Sequence, residues 1–162
     1  MLAVGGDHSV VICQASDGVG HEVLAWGCND YGQLGVGALR SQSTPKSVSR
    51  LQGKHVHAVA CGFYHTVAVV SEGADGEHQI WAWGGNEFGQ LGLGHEVEQQ
   101  QPRKIPSMQG KRVHQLVAGY YHTLCLVSDH EGGVWELLAW GCNTYGQLGL
   151  GTTAHQSTPQ VV

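Results

Sequence analysis

The 162-residue chain is 41% hydrophobic, enough apolar material to bury a core, while only 13% of its residues are charged and 25 are glycine. A net charge of −5 and a pI near 6.1 argue against a surface built to neutralise nucleic-acid phosphates. The five cysteines, Cys13, Cys28, Cys61, Cys125 and Cys142, show no CxxC spacing, and no apolar run is long enough to span a bilayer.

Taken from the N-terminus, the first signature is Gly5-Gly6-Asp7-His8-Ser9, followed by an apolar run, Val23 to Trp26, and the stretch AWGCNDYGQLGVG. Both return at a fixed interval. Trp26, Trp83 and Trp140 stand 57 residues apart, as do His8, His65 and His122, and Pro45, Pro102 and Pro159. An uninterrupted period of this kind decides the architecture before any local reading does. It divides the chain into units 1–55, 56–112 and 113–162.

The middle unit is the most legible. Val56 to Cys61 and His65 to Val70 read as two strands joined by Gly62-Phe63-Tyr64. A polar loop, Ser71 to His78, holds Asp75-Gly76, a hairpin signal. The third strand, Ile80 to Trp83, is apolar at every position, so both of its faces are expected to be covered. A weaker fourth strand is expected after Pro102, around Arg103 to Pro106. Helical periodicity is missing, and glycines interrupt every window long enough for a helix.

Four short antiparallel strands per unit make a propeller blade, so the expected class is all-β, an open partial β-propeller of about three blades. The glycines of GQLGxG suit positive φ or close backbone approach, and Leu34, Leu91 and Leu148 are expected to enter the core. Asn29, Asn86 and Asn143 suit the same left-handed backbone or a bond to nearby amides. A phosphate-binding reading of these glycines would need a helix after them, and none is predicted.

Two motifs in fixed register, WGxNxxGQLGxG three times and a second signature that reads GGDHS, GFYHT and GYYHT, resemble the WGxNxxGQLGxG and GxxHT stretches of the regulator of chromosome condensation repeat family. The resemblance covers essentially the whole chain. It implies propeller blades, in a family whose members serve as nucleotide exchange factors, ubiquitin-ligase targeting modules, photoreceptors or docking platforms. A complete family propeller usually has seven blades, an exchange factor usually carries a protruding wedge, and the ligases carry a separate catalytic domain. The photoreceptor members place tryptophan after the glycine of GxxHT, where this chain has Gly6, Phe63 and Tyr120.

Histidine is the usual general base and a common metal ligand, and the chain holds eleven. Most recur with the repeat: His8, His65 and His122; His57 and His114; His21 and His78. One such residue per blade fits a structural role at the blade junction, bonding buried backbone, better than a single active site. No catalytic residue, metal ligand or cofactor site is expected. Lys54, Lys111, Arg112, Arg103 and Lys104 read as solvated charge in the connections.

Function is then expected where equivalent positions differ. The segments after GQLGxG run Ala38 to Thr44, His95 to Gln101 and Thr152 to Thr158; the middle one offers His95, Glu96 and Glu98 as an acidic docking spot. Trp135, which stands where the other units have His21 and His78, is a second candidate anchor. The expected function is a non-catalytic scaffold for a protein partner, in the cytoplasm or nucleus, with no membrane and no nucleic acid. The alternative is a nucleotide exchange regulator of a small GTPase. Three units do not close a ring, so association with a second copy, or continuation in a longer chain, is expected to cover the end blades.

Overall fold

A computed structural model describes every residue except Asp17, Val19 and Glu131. It contains three four-stranded antiparallel sheets, each a simple meander. The first comprises β1 (Leu2–Val4), β2 (His8–Gln14), β3 (His21–Gly27) and β4 (Gln42–Ser47). The second comprises β5 (His55–Cys61), β6 (His65–Ser71), β7 (Gln79–Gly84) and β8 (Gln99–Lys104). The third comprises β9 (Arg112–Ala118), β10 (His122–Ser128), β11 (Glu136–Gly141) and β12 (Gln156–Val161). Strands β1, β5 and β9 stand side by side, so the sheets follow one another as blades in an open arc.

Two cores lie between the sheets. Ala68, Val70, Trp81 and Trp83 of the second sheet pack on Val10, Ile12, Val23 and Ala25 of the first. The alternate residues Val67, Ile80 and Ala82 pack on Cys125, Val127, Leu138 and Trp140 of the third. This period-two division explains why the middle strands are apolar throughout: every residue of β6 is buried, and so are Ile80 to Gly84 of β7. In the outer sheets one face is open, and Leu137, in the third strand of its sheet, is 39% exposed.

The fourth strand departs from expectation. It begins at Gln99, before Pro102, and ends at Lys104. Proline has no N–H to give a ladder, but β8 is an edge strand and its register with β7 shifts between Ala82 and Gly84, where no regular pairing is required. The segments after GQLGxG therefore contain the first residues of β4, β8 and β12. Short 3-10 turns follow β4 and β8, at Ser49–Leu51 and Pro106–Met108, and send Leu51 and Met108 into the two cores.

Two local expectations also change. The β6–β7 connection closes with pairing of Val70 and Gln79, but Gly76 lacks the positive φ of a two-residue Asp-Gly turn, so a longer loop makes the hairpin. Asn29, Asn86 and Asn143 do not adopt left-handed backbone either, but the expected bonds to nearby backbone amides are present. They act through their amides. Asn86 Oδ1 accepts from Leu91 N at 3.0 Å while its Nδ2 donates to His95 O at 2.7 Å and Val97 O at 3.1 Å, and Asn143 repeats the pattern.

Candidate functional site

The GxxHT histidines do their bonding between sheets rather than within one. His8 Nε2 lies 2.9 Å from Thr66 Oγ1, and Thr66 in turn donates to Gln33 O at 2.9 Å. Because that hydroxyl proton is committed to the carbonyl, the histidine must be the donor, which fixes its Nε2–H tautomer. Trp83 Nε1 donates to the same Gln33 carbonyl at 2.9 Å. The second junction repeats this with His65, Thr123, Gln90 and Trp140. The expected partner, buried backbone, is thus reached through a threonine of the next repeat.

Burial keeps these rings neutral. It pushes the His8 imidazole down to about 4 against the opposing pull of Asp7, and that of His65 down to about 3 with help from His8 and His122. Among the described residues the Nδ1 atoms of both have no hydrogen-bond partner. The ring of His65 leaves no room for a side chain at Gly62, whose Cβ would fall 2.1 Å from Cε1. Gly35 likewise combines φ of +71° with a Cβ position 2.8 Å from the Trp83 indole nitrogen. At the two junctions the histidines His8 and His65, the threonines Thr66 and Thr123 and the tryptophans Trp83 and Trp140 are buried, whereas Trp26 and His122, on the outer faces, are partly exposed.

All five cysteines are free thiols. Burial raises the Cys61 and Cys125 thiols to about 12, with the neighbouring Thr66 hydroxyl opposing it in the case of Cys61, so neither is a nucleophile at neutral pH. Among the described residues no group of three or more His, Cys, Asp or Glu side chains is placed to hold a metal. No helix among them is long and apolar enough to cross a membrane.

The meander gives every sheet two opposite ends. One end carries the GxxHT turns and the long loops after β3, β7 and β11; the other carries the loops before those strands and the connections to the next sheet. This separates the expected site residues. His95, Glu96 and Glu98 are exposed on the first end, with His95 Nδ1 accepting from Val97 N at 3.2 Å. Trp135 lies on the second, stacked on His114 with ring centroids 4.4 Å apart, and is still 59% exposed.

The second end is a surface of paired polar groups. Lys54 bonds Glu72 at 2.7 Å, and Lys111 bridges Asp129 at 2.6 Å and Glu136 at 2.8 Å, so two of the basic residues read as solvated charge are in ion pairs. His21 Nδ1 accepts from Val56 N at 2.9 Å and His78 Nδ1 from Val113 N at 3.2 Å, tying each sheet to the next. The rings of His57 and His78 lie 4.7 Å apart.

The first end holds something the sequence reading passed over: a continuous group of aromatic rings. Phe63 stacks on Tyr120 at 4.0 Å, Tyr64 meets Tyr31 at 4.5 Å and Tyr121 at 6.1 Å, and Phe88 meets Tyr121 at 5.1 Å. Tyr31 is 41% exposed and Tyr120 55%. Between them and the loop after β7 opens a cleft of about 500 Å³ lined by Tyr31, Tyr64, Tyr121, Glu87, Glu96 and Glu98 among others. Burial, the neighbouring phenols and Asp7 raise the Tyr64 hydroxyl, and burial, other phenols and Glu87 raise that of Tyr121, so the rings stay uncharged beside the carboxylates.

The charges on this end are one-sided. Asp7, Asp30, Glu87, Glu96 and Glu98 stand on this end against Arg40 of the loop after β3 and Arg103, which reaches back along β8 to bond Gln99 beside Glu98. The signal for the cluster was present in the motifs. The unspecified positions of GxxHT are Phe63, Tyr64, Tyr120 and Tyr121, and the residue two after each motif asparagine is Tyr31, Phe88 or Tyr145.

Comparison with known proteins agrees with the repeat and the fold. The chain is 36% identical over 161 residues to the Arabidopsis thaliana ultraviolet-B receptor UVR8, covering 99% of this chain and 33% of the receptor. It is 41% identical over 162 residues to the Homo sapiens probable E3 ubiquitin-protein ligase HERC4, covering 99% of this chain and 14% of the ligase. The chain therefore spans a third or less of these relatives. Human WBSCR16 superposes with a TM-score of 0.76 at 27% identity, and Prp20p from Saccharomyces cerevisiae with 0.73 at 28%; each match covers 99% of this chain and 38% or 37% of the other. The Prp20p structure was described with its binding properties to Gsp1p and histones. Residues 21–69, 77–126 and 136–162 match the regulator of chromosome condensation (RCC1) repeat, with which the sheets, the junctions and the two motifs agree: the chain belongs to that family.

Proposed function

We propose that the chain is a non-catalytic docking module that receives a protein partner on the end carrying Tyr31, Tyr64, Tyr120 and Tyr121. The observation that carries this reading is the aromatic group itself. Tyrosine offers a large, rigid contact area together with a polar tip, and such rings concentrate binding energy where they can be desolvated. The recurring polar residues offer little for catalysis, because they are used up in the junctions. The excess of carboxylates repels a phosphate backbone and favours a basic protein surface.

Glu96 and Glu98 belong to this docking end, with His95 at its edge; Trp135 supplies at most a separate contact on the opposite end. Partner capture by the purified chain tests the reading. A double variant, Tyr64→Ala with Tyr121→Ala, is expected to lose the partner while remaining folded, and Trp135→Ala to retain it. Capture that survives the double variant would overturn the assignment.

An exchange-factor role is the second reading, supported by the likeness to Prp20p and the pairing of that protein with Gsp1p. Accelerated release of labelled nucleotide from a Ras-type GTPase by this chain would move it to first place.

A further inference from the structure

Resting on the docking reading, we infer that the cleft between Tyr31, Tyr64, Tyr121 and the loop after β7 is a receptor for an arginine side chain presented by the partner. Three features of the cleft converge on a planar cation. The tyrosine rings offer faces on which a guanidinium stacks, and such contacts strengthen where water is displaced. Glu87, Glu96 and Glu98 line the same cleft and supply only acceptors, matching the five N–H donors of arginine. Among the described residues no lysine or arginine lines it: Arg40 belongs to the first sheet's loop, and Arg103, which lines a neighbouring hollow with Glu98, donates to Gln99 Oε1 at 3.1 Å.

The site is built by three repeats and supported from beneath. Tyr31 comes from the first unit, Tyr64 and the glutamates from the second, and Tyr121 from the third. The glutamate-bearing loop is fastened by Asn86, whose Nδ2 holds the carbonyls of His95 and Val97 on either side of Glu96. The carboxylates are thereby positioned before a ligand arrives, which lowers the ordering cost of binding. A lysine ammonium would satisfy the charge but lacks the flat fork, and a trimethylated lysine would satisfy the rings but has no proton to donate to the glutamates.

The test uses the whole chain and small probes of defined chemistry: N-acetyl-arginine-methylamide, its citrulline, lysine and trimethyllysine counterparts, each titrated while backbone amide resonances are followed. The arginine probe is expected to shift amides at residues 85–98 and around Tyr31, Tyr64 and Tyr121, with lysine weaker and citrulline, which is isosteric but neutral, inactive. The double variant Glu96→Gln with Glu98→Gln, at exposed positions, is expected to keep its melting temperature and weaken arginine binding by roughly tenfold. Equal responses to arginine and citrulline, shifts confined to the opposite end, or tighter binding of trimethyllysine than of arginine would each overturn the assignment. If the probe fails while partner capture still depends on Tyr64 and Tyr121, the arginine receptor falls and the docking reading stands; if capture is also independent of those rings, both fall.

Discussion

Tyr64 and His65 are neighbours in the chain, yet they belong to different parts of the molecule. His65 points into the junction between the second and third sheets, fully buried and bonded to Thr123, and its counterparts in the other repeats are also histidine. Tyr64 turns outward into the aromatic group on the rim, and its counterpart in the first repeat is Asp7. The junction is thus assembled from residues kept in all three repeats, and the rim from positions between them that are aromatic in the second and third repeats but Gly6 and Asp7 in the first. A repeated residue satisfies a repeated interface, whereas a binding surface needs to differ from one blade to the next only where a partner touches it.

The largest effect that separates the two regions is expected at Trp83, which is fully buried and donates to the Gln33 carbonyl. Trp83→Ala leaves a cavity and removes one of the two donors to that carbonyl, a loss of about 3–5 kcal/mol, visible as a collapse of the denaturant midpoint. His65→Ala is expected to cost about 1–3 kcal/mol, because Thr123 loses the donor to its oxygen. A melting temperature unchanged by that substitution would show that the junction does not rely on the histidine relay.

Acid should weaken the junction in a defined window. The folded-state values of His8 and His65 lie near 4 and 3, below the unfolded value of 6.5. The unfolded chain therefore binds protons that the folded chain refuses. Their contribution is complete above about pH 6.5 and is lost as the pH falls toward the folded values, by up to about 1.4 kcal/mol per pH unit for each histidine. Denaturant midpoints measured between pH 7 and pH 4 should fall, and the fall should be shallower in His65→Ala.

Effects on the paired end should be smallest. Lys54→Ala removes an ion pair whose glutamate is 61% exposed, worth less than about 1 kcal/mol and screened by salt. A larger loss, persisting at high salt, would place that end among the structural parts of the molecule.

The repeat made the fold legible, because two motifs in constant register require equivalent sheets and the apolar run ending at Trp83 requires a neighbour on each side. The fourth strand was harder to place, since Pro102 reads as an obstacle until its edge position and register shift are known. Local rules for Asp75-Gly76 and Asn86 named a permitted conformation that the longer loop and the side-chain bonds made unnecessary. For the site, Glu96 and Glu98 become candidates by comparing equivalent positions, which needs no coordinates. Trp135 becomes one the same way but lies at the opposite end of its sheet, because sequence comparison marks difference without marking direction. The aromatic group stayed hidden because Tyr31, Tyr64 and Tyr121 come from three different repeats and meet only when the blades stack.

The division between junction and rim is tested most directly by a paired measurement on the two neighbours, Tyr64→Ala and His65→Ala, each followed by thermal melting and by binding of N-acetyl-arginine-methylamide below the melting range. The account predicts that His65→Ala melts at the lower temperature and binds the probe like the parent chain, while Tyr64→Ala melts close to the parent and loses the probe. Unimpaired binding by Tyr64→Ala, or a drop in its melting temperature as large as that of His65→Ala, would contradict it.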